Sequence, residues 1–313
     1  MTLNEYNAAL QQVLDGRGDL EARRHAIPCP QGPRTLLQLR SAGLAREVAG
    51  LPQSAGRARE TNTAHRGDTV LIMAGLHGDE VAGPLSLLRH LNEIVDHACA
   101  SGVQLIVYPL ANPSGFAAGT RYADGDRGKL GNNDFLRYEL EDGSIVGDIG
   151  GGRLFRRWRW SSDPQLGLQL PRETALIHRL LRDDPVERVA GVIDLHQDLI
   201  TKEPGAMAYH YGFGDLARYR PIVAELARMI PIARRRAINA GQPTPMWTDG
   251  DGFLVRHDGT LTDLFYRLGA AHCLAVETSG ATPLELACRV NCAWVLGVID
   301  LVRRRREGSP RPA

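Results

Sequence analysis

The chain has 313 residues, of which 43% are hydrophobic and 23% are charged, as is typical of a soluble globular protein. This length can form one large α/β domain or two small ones, and either arrangement would bury a sizeable core. The 37 basic residues nearly balance the 36 acidic residues, so no net field favours binding to nucleic acid or to an acidic membrane. We therefore expect no nucleic-acid partner and no membrane partner.

The N-terminus and the cysteines indicate a reducing cytoplasm. Residues 1–6 contain no basic region that leads into an apolar run, and no segment approaches about 18 uncharged apolar residues, so neither secretion nor membrane insertion is indicated. The five cysteines are odd in number and show no CxxC spacing, which disfavours a disulfide framework or a cysteine–zinc cluster. Cys288 and Cys292 stand four residues apart on a predicted helix, and we interpret them as buried core residues.

Residues 1–68 are predicted to be an N-terminal extension that packs on the main domain. The extension ends in a polar, loop-like stretch over 52–67. From residue 69 onward, apolar strand-like runs alternate with segments of helical periodicity. The elements predicted in this part of the chain are a helix over 3–15, a strand over 34–40, a strand over 69–75, a helix over 80–96 and a strand over 103–110.

Residues 124–165 are rich in glycine and carry a cluster of arginine and tryptophan over 155–160. A structureless connection of this length in a compact domain is usually functional or disordered, and we interpret it as a loop that helps to shape the entrance of a site. The alternative is a surface insertion. The short basic and aromatic cluster is too small a footprint for nucleic-acid binding in a neutral chain.

After this insertion the alternation of strands and helices resumes. The elements predicted there are a helix over 171–182 that begins with Pro171, a strand over 189–195, a helix over 261–268 capped by Thr260, a strand over 272–277 and a helix from 283 to about 304. Apolar strands separated by helices predict an α/β fold, in which a mainly parallel or mixed central sheet is flanked by helices on both faces. We predict a single catalytic domain over 69–304 and a flexible tail over 305–313.

Three of the predicted strands lead into residues that can bind a metal ion or accept a proton. His77 and Glu80 follow the strand over 69–75, His196 ends the strand that begins at 189, and Glu277 ends the strand that begins at 272. Because ligands of such sheets bind where the strands end, we expect these segments to lie together. A histidine and a glutamate three residues apart have the spacing of two zinc ligands, His196 could complete the site, and Glu277 could supply a base.

This pattern resembles the zinc carboxypeptidase superfamily, which includes the succinylglutamate desuccinylase and aspartoacylase branch. In that family an HxxE pair is followed much later in the chain by a histidine that ends a strand. The resemblance spans residues 69–300 and implies one zinc ion bound by His77, Glu80 and His196, with Glu277 as the general base. The chemistry of amide hydrolysis suits this set, because zinc lowers the pKa of water to about 7 and a carboxylate can carry the proton to the leaving nitrogen.

The segment after the strand over 103–110 extends the resemblance. Residues 112–116 match the family's NPxGF turn, and residues 120–122 match the Thr-Arg-Tyr stretch of the desuccinylase and aspartoacylase branch. The resemblance implies that Arg121 stabilises the oxyanion, with Arg127 as the competing residue, and that Asn112 lies at the substrate.

The family motif DLNR, which grips the terminal carboxylate of the substrate, is only partly preserved. Asp134 and Arg137 keep the separation of its aspartate and arginine, and we predict that Arg137 binds a carboxylate through its planar fork. The mobile tyrosine of the family has no counterpart over 253–257, where His257 or Arg256 could act as a donor to the substrate instead. Asp263 lies on the helix that resembles the wall of the family's specificity pocket.

Asp194 precedes His196 by two residues. We place its side chain on the opposite face of the strand from His196 and interpret it as structural. The alternative is a carboxylate that holds a ligand histidine.

Two classes of function fit these residues. The first is a zinc-dependent hydrolase of peptide or acyl-amino-acid substrates, either a metallocarboxypeptidase or an N-acyl-amino-acid deacylase. Only one helix and a tail follow Glu277, whereas the aspartoacylase branch continues with a β domain, and this favours the carboxypeptidase. The second is a non-catalytic metal-binding protein on the same fold, which would have no need of Glu277.

Overall fold

The structure, a computed structural model, describes residues 1–29, 32–42, 68–123, 131–184, 186–200, 203–238 and 245–307. The α-helices of these residues are α1 (Leu3–Asp15), α2 (Ala82–Ser101), α3 (Pro113–Ala118), α4 (Arg172–Asp183), α5 (Arg220–Leu226), α6 (Leu261–Arg267) and α7 (Leu284–Glu307). The strands are β1 (Leu20–Ile27), β2 (Arg34–Ser41), β3 (Thr69–Ala74), β4 (Gln104–Tyr108), β5 (Leu136–Glu139), β6 (Ile145–Val146), β7 (Arg157–Trp160), β8 (Val189–Asp198), β9 (Ala208–Phe213), β10 (Ala237–Ile238), β11 (Met246–Trp247), β12 (Phe253–Leu254) and β13 (His272–Ser279).

Every helix and strand predicted from the sequence is present, with ends that differ by a few residues. The predicted loop over 52–67 and the end of the predicted tail, over 308–313, lie outside the described residues. No helix in the described part of the chain combines the length and the apolar character needed to span a membrane.

The central sheet has eight strands in the order β1-β2-β4-β3-β8-β13-β9-β12. Its four middle strands, β4, β3, β8 and β13, run parallel to one another. Antiparallel pairs continue the sheet on both sides, through β2 at one side and β9 at the other. The carboxyl ends of the four parallel strands therefore meet at one edge of the sheet, which is where the candidate site lies.

Helices cover both faces of this sheet. On β3, Val70 and Ile72 belong to the core formed with α1, α2 and α7, whereas Leu71 and Met73 belong to the core formed with α4 and α6. This division follows from the alternation of side chains along a strand. The predicted single-domain α/β fold, with a mixed sheet between two helical layers, is confirmed.

The N-terminal residues contribute to the sheet itself. Helix α1 begins with a capping box formed by Thr2 and Glu5, and it buries Tyr6, whose hydroxyl donates to the carbonyl of Pro109 at 3.0 Å. Strand β2 pairs with β4, and β1 pairs with β2. We predicted residues 1–68 as an extension packed on the domain; their described residues also supply two strands of its central sheet.

The prediction that residues 124–165 form a structureless loop was wrong for residues 131–165. Here β5, β6 and β7 form a separate antiparallel sheet in the order β6-β5-β7. Phe135, Leu136 and Tyr138 are fully buried in the core beside α6, and the Tyr138 hydroxyl donates to Asp263 at 2.6 Å. Strands of two to four residues among glycines leave too short a pattern to recognise from sequence.

The buried His210 on β9 makes the stability of the fold depend on pH. Its ring packs against Phe253 and Trp294, and neither ring nitrogen has a hydrogen-bond partner in the described residues. Burial lowers the pKa of His210 to about 3, whereas an unfolded histidine titrates near 6.5. Between these values the unfolded chain binds the additional proton, so the folded state loses stability as the pH falls below about 6.5.

Replacing this histidine by phenylalanine should reduce the loss of stability in acid. We expect His210→Phe to gain about 2 kcal/mol relative to wild type between about pH 7 and about pH 5, because phenylalanine removes the proton-binding group. Urea unfolding of both proteins at the two pH values measures this difference. An equal change with pH in the two proteins would show that His210 does not contribute.

Candidate active site

The parallel strands bring the predicted metal ligands and the predicted base to the same edge of the sheet. His77 and Glu80 lie on the loop that joins β3 to α2, His196 lies near the end of β8, and Glu277 lies near the end of β13. His196 and Glu277 are direct partners in the β8–β13 register. Since paired residues of neighbouring strands point to the same face, the two side chains lie side by side.

The ligand atoms of His77, Glu80 and His196 converge. The Nδ1 atom of His77 is 2.9 Å from Glu80 Oε1, the Nδ1 atom of His196 is 2.8 Å from Glu80 Oε2, and the two Nδ1 atoms are 3.2 Å apart. In a tetrahedral zinc site with bonds of about 2.0–2.2 Å, the ligand atoms lie about 3.4 Å apart. The three side chains therefore fit a zinc ion with only small adjustments, and their nitrogen and oxygen donors suit that metal.

The charge states of Glu80 and His77 also suit a bound cation. Glu80 is 2% exposed, and although burial acts to raise its pKa, His77 and His196 outweigh burial and hold this pKa well below the usual range. Burial lowers the pKa of His77. Glu80 is thus an ionised carboxylate and His77 a neutral imidazole, which are the forms that bind zinc.

Asp194 contacts the third ligand, contrary to our prediction that its side chain lies on the opposite face. Residues two apart on a strand share a face, and Asp194 Oδ2 is 2.9 Å from His196 Nε2. Burial lowers the pKa of His196, but Asp194 and Glu80 outweigh burial and raise it well above its ordinary value. Asp194 therefore orients His196 so that Nδ1 faces Glu80.

Removing the charge of Asp194 should weaken metal binding. We expect Asp194→Asn to lower the zinc affinity by about 10- to 100-fold, because a carboxylate on the second nitrogen orients a ligand histidine and increases its basicity. Competition with a chromophoric chelator measures the affinity. The matched control is Asp300→Asn, since Asp300 pairs with His97 at 3.1 Å on the outer surface. Equal affinity in Asp194→Asn and wild type would refute this role.

The loop that carries His77 and Glu80 packs directly on the turn at the start of α3. A Cβ atom on Gly78 would lie 2.2 Å from the backbone carbon of Gly115, so only glycine fits at position 78. The Gly78 N–H donates to the carbonyl of Arg121 at 3.1 Å. The loop that carries His77 and Glu80 is therefore packed against the loop that carries Arg121, and we call the two loops together the ligand unit.

Adding a methyl group at Gly78 should disrupt this unit. We expect Gly78→Ala to destabilise the protein by roughly 1–3 kcal/mol and to reduce its zinc content, because the two backbone segments must separate. Denaturant unfolding and metal analysis measure the two effects. Gly16→Ala is the control, since a Cβ atom at Gly16 meets nothing within 4 Å. Normal stability and zinc content in Gly78→Ala would contradict the close packing.

The buried side chains of Asn112 and Asn132 form hydrogen bonds with the backbone of these two loops. The Asn112 side chain accepts from the Gly115 N–H at 2.8 Å and donates to the carbonyls of Leu76 and Arg121 at 3.3 and 3.2 Å. Asn132 donates to the same two carbonyls at 2.7 and 3.2 Å. Asn132 could not be recognised from the sequence as a residue of the site, because only the folded chain brings it to this loop.

Arg121 itself lies against the ligand set. Its Nη1 atom is 2.6 Å from Glu80 Oε1, and its side chain is 24% exposed. Burial lowers the pKa of Arg121, but Glu80 outweighs burial and raises it, so the guanidinium keeps its charge. The structure thus places a cation beside the predicted metal ligands.

Glu277 lies next to this set and is partly buried. Its Oε2 atom is buried and has no hydrogen-bond partner within the described part of the chain. Burial raises the pKa of Glu277 well above its usual range, and the carboxylates of Glu80 and Asp198 act in the same direction against His196 and Arg121. A carboxylate with a raised pKa is suited to take and release a proton near neutral pH.

A cavity of about 110 Å³ opens beside Glu277 and His196. Its lining also includes Tyr211 of β9, Thr262 of α6, and Asp258, whose pKa burial raises to about 6. Arg256 completes this part of the wall and donates from Nε to Asp148 at 2.9 Å. Asp148 belongs to the segment that we predicted to shape a site entrance, so this segment contacts a residue of the cavity wall.

Comparison with known proteins agrees with this geometry. Residues 66–208 match the family model of the succinylglutamate desuccinylase/aspartoacylase catalytic domain. Similar solved structures include a provisionally named metallopeptidase from Shewanella baltica, with 19% identity, coverage of 96% of this chain and 92% of that chain, and a TM-score of 0.60. The resemblance to the zinc carboxypeptidase superfamily is confirmed.

Two further structures show the carboxypeptidase-like fold. A metallo-carboxypeptidase from Pseudomonas aeruginosa, in complex with (2-guanidinoethylmercapto)succinic acid, is 14% identical, with coverage of 96% of this chain and 69% of that chain and a TM-score of 0.54. Bovine thrombin-activatable fibrinolysis inhibitor is also 14% identical, with coverage of 97% of each chain and a TM-score of 0.55. No curated protein matches the sequence significantly.

Two of the predicted substrate-binding residues lie outside the cavity lining. Arg137, on β5, forms an ion pair with Asp134 and does not line the cavity. His257 is held by Asp263, with Nδ1 2.9 Å from Oδ1, and its ring packs between Phe213 and Tyr266, also outside the cavity lining.

Asn112, a third residue of this set, is also outside the cavity lining. The Asn112 side chain is fully buried, and its hydrogen bonds position the Arg121 loop, so the placement does not support a substrate contact. Arg127 lies outside the described residues. The arginine that the structure brings to the cavity is Arg256, which we considered as a donor only.

Proposed function

We propose that this protein is a zinc-dependent hydrolase that cleaves an amide bond adjacent to a carboxylate, in the manner of a metallocarboxypeptidase. The observation that carries the proposal is the position of Glu277. Its carboxylate lies beside three convergent ligand side chains and lines the cavity, and its buried Oε2 atom has no hydrogen-bond partner in the described residues. A site that only stored metal would not need a buried carboxylate oxygen without a partner next to its ligands, because such an atom is costly to bury.

Each residue of the site has a part in this reaction. Zinc held by His77, Glu80 and His196 would polarise the substrate carbonyl and lower the pKa of a water molecule to about 7. Glu277 takes the proton of the attacking water and delivers it to the leaving nitrogen. Arg121 donates hydrogen bonds to the oxyanion as charge develops on it.

The cavity limits the group that the substrate presents next to the scissile bond. Its volume of about 110 Å³ is well below the roughly 300–1,000 Å³ of pockets for drug-sized ligands, so it accepts one side chain or a short acyl group. Arg256 supplies a cation in the wall, and we propose it in place of Arg137 as the residue that binds the substrate carboxylate.

The second candidate is an N-acyl-amino-acid deacylase. The match of residues 66–208 to the succinylglutamate desuccinylase/aspartoacylase catalytic domain favours it. Both candidates use the same metal ligands and the same base, and they differ in what lies on the acyl side of the bond. A panel of short peptides and N-acyl amino acids, assayed for release of the free amino acid, distinguishes them.

Loss of the carboxylate at position 277 should abolish most activity and leave the metal in place. We expect Glu277→Gln to reduce turnover of the best substrate of the panel by about 10²- to 10⁴-fold, the usual contribution of a general base. Zinc content should match wild type, since the glutamine amide does not disturb the ligands.

The control for this experiment is Glu285→Gln. Glu285 lies on α7 and its side chain is 76% exposed. We expect this variant to retain full turnover. Equal turnover in wild type and Glu277→Gln, with zinc bound in both, would exclude Glu277 as the base. Protein that binds no zinc at all would favour a different function.

A further inference from the structure

We propose that His90, Glu93 and Cys292 form a second metal site, for a zinc-like divalent cation, at the junction of α2 and α7. In the described part of the chain they are the one group besides His77, Glu80 and His196 whose ligand atoms all lie within 4.8 Å of one another. This second site shares no residue with the predicted catalytic ligands or with the lining of the cavity. The proposal is therefore independent of the proposed hydrolase function.

The distances between the ligand atoms suit a tetrahedral ion. His90 Nδ1 is 3.1 Å from Glu93 Oε2, and Cys292 Sγ is 3.6 Å from the same oxygen. With zinc bonds of about 2.0–2.2 Å to nitrogen and oxygen and about 2.3 Å to sulfur, ideal separations are about 3.4 Å and about 3.6 Å. These two separations lie within a few tenths of an ångström of the ideal values, and all three ligand atoms lie within 4.8 Å of one another.

Two rigid elements hold these side chains in place. His90 and Glu93 stand three residues apart on α2, so they project from the same side of that helix. Cys292 lies on α7, which packs against α2. Leu91 and Ile94, which flank the pair on α2, are buried in the core shared with α7. A site built on packed helices is organised before the metal arrives.

The donor types select the class of metal. A thiolate, an imidazole and a carboxylate favour zinc and similar borderline ions, whereas magnesium and calcium require oxygen ligands. Cys292 is 5% exposed, but the side chains of His90 and Glu93 are 24% and 57% exposed and provide access from solvent. The nearby Arg89 forms an ion pair with Glu285, so its charge is partly neutralised.

A metal at this position would join α2 to α7. Helix α2 begins two residues after Glu80, so the ion would brace the helix that follows the catalytic ligand loop. Because the ion binds the folded chain, it should also raise the temperature of thermal unfolding.

Cobalt distinguishes the two sites, because a thiolate ligand is present in only one of them. Metal-free protein is titrated with Co²⁺ while the near-ultraviolet band of sulfur-to-cobalt charge transfer is recorded, and bound cobalt is counted after gel filtration. Wild type should bind two equivalents and show the band. Cys292→Ser should bind one equivalent without the band. Cys288→Ser, a buried cysteine one turn earlier on the same helix, should behave like wild type.

Glu93→Gln provides a second variant that leaves the core intact, since Glu93 is exposed. We expect this variant to bind cobalt at the second site about tenfold or more weakly than wild type, as measured by titration of the charge-transfer band. Absence of the band in wild type, or an equal band in Cys292→Ser, would overturn the proposal. If His77, Glu80 and His196 bind no metal, wild type should bind one equivalent of cobalt and still show the band. Failure of one proposal is therefore distinguishable from failure of the other.

Discussion

The carboxylate of Glu80 is the group on which the rest of the site depends. It is almost completely buried, and it accepts contacts from His77, His196, Arg121 and the backbone N–H of Gln197. A buried charge of this kind is stable only when it is paired and hydrogen-bonded, and removing any partner leaves it uncompensated. The fold therefore has to hold three segments at fixed distances: the loop that carries His77 and Glu80, the end of β8, and the loop that carries Arg121.

The central sheet provides this precision. His196 comes from β8 and lies beside Glu277 because β8 and β13 pair in parallel with these two residues as direct partners. A slip of one residue in either strand would turn its functional side chain to the opposite face of the sheet. Strand β8 is buried along its whole length between two helical layers, so its register is strongly specified. The same apolar burial that stabilises the domain thus fixes the spacing between the ligands and the base.

Burial also sets the chemical state of each group. Three carboxylates, those of Glu80, Asp194 and Glu277, crowd around one sheet edge, and they are not equivalent. Glu80 is surrounded by positive or potentially positive groups and stays ionised, whereas burial raises the pKa of Glu277. Pairs of carboxyl groups whose environments separate their pKa values divide between ligand and proton-carrier roles. This division supports the roles that we propose for them.

The sequence was sufficient for the parts of the structure that follow from local patterns. The strands that carry the site are uninterrupted apolar runs, and His77, Glu80, His196 and Glu277 each lie near the end of one, so their proximity could be predicted. Strand β9 was missed because its Tyr-His-Tyr run is polar and aromatic. The sequence pattern predicted that Arg137 binds the substrate, and its ion pair with Asp134 is visible only in the folded chain. Arg256 and Asp258 come from an irregular segment, which carries no periodic signal.

The most direct test of the account is the location of zinc in crystals of the wild-type protein. Anomalous diffraction at the zinc edge should show a peak bonded to Nδ1 of His77, to the Glu80 carboxylate and to Nδ1 of His196, at about 2.0–2.2 Å from each. The Glu277 carboxylate should face this peak without binding it directly. A crystal of zinc-saturated protein that shows no zinc at these three residues would contradict the account. A zinc ion bound by Glu277 in place of one of them would also contradict it.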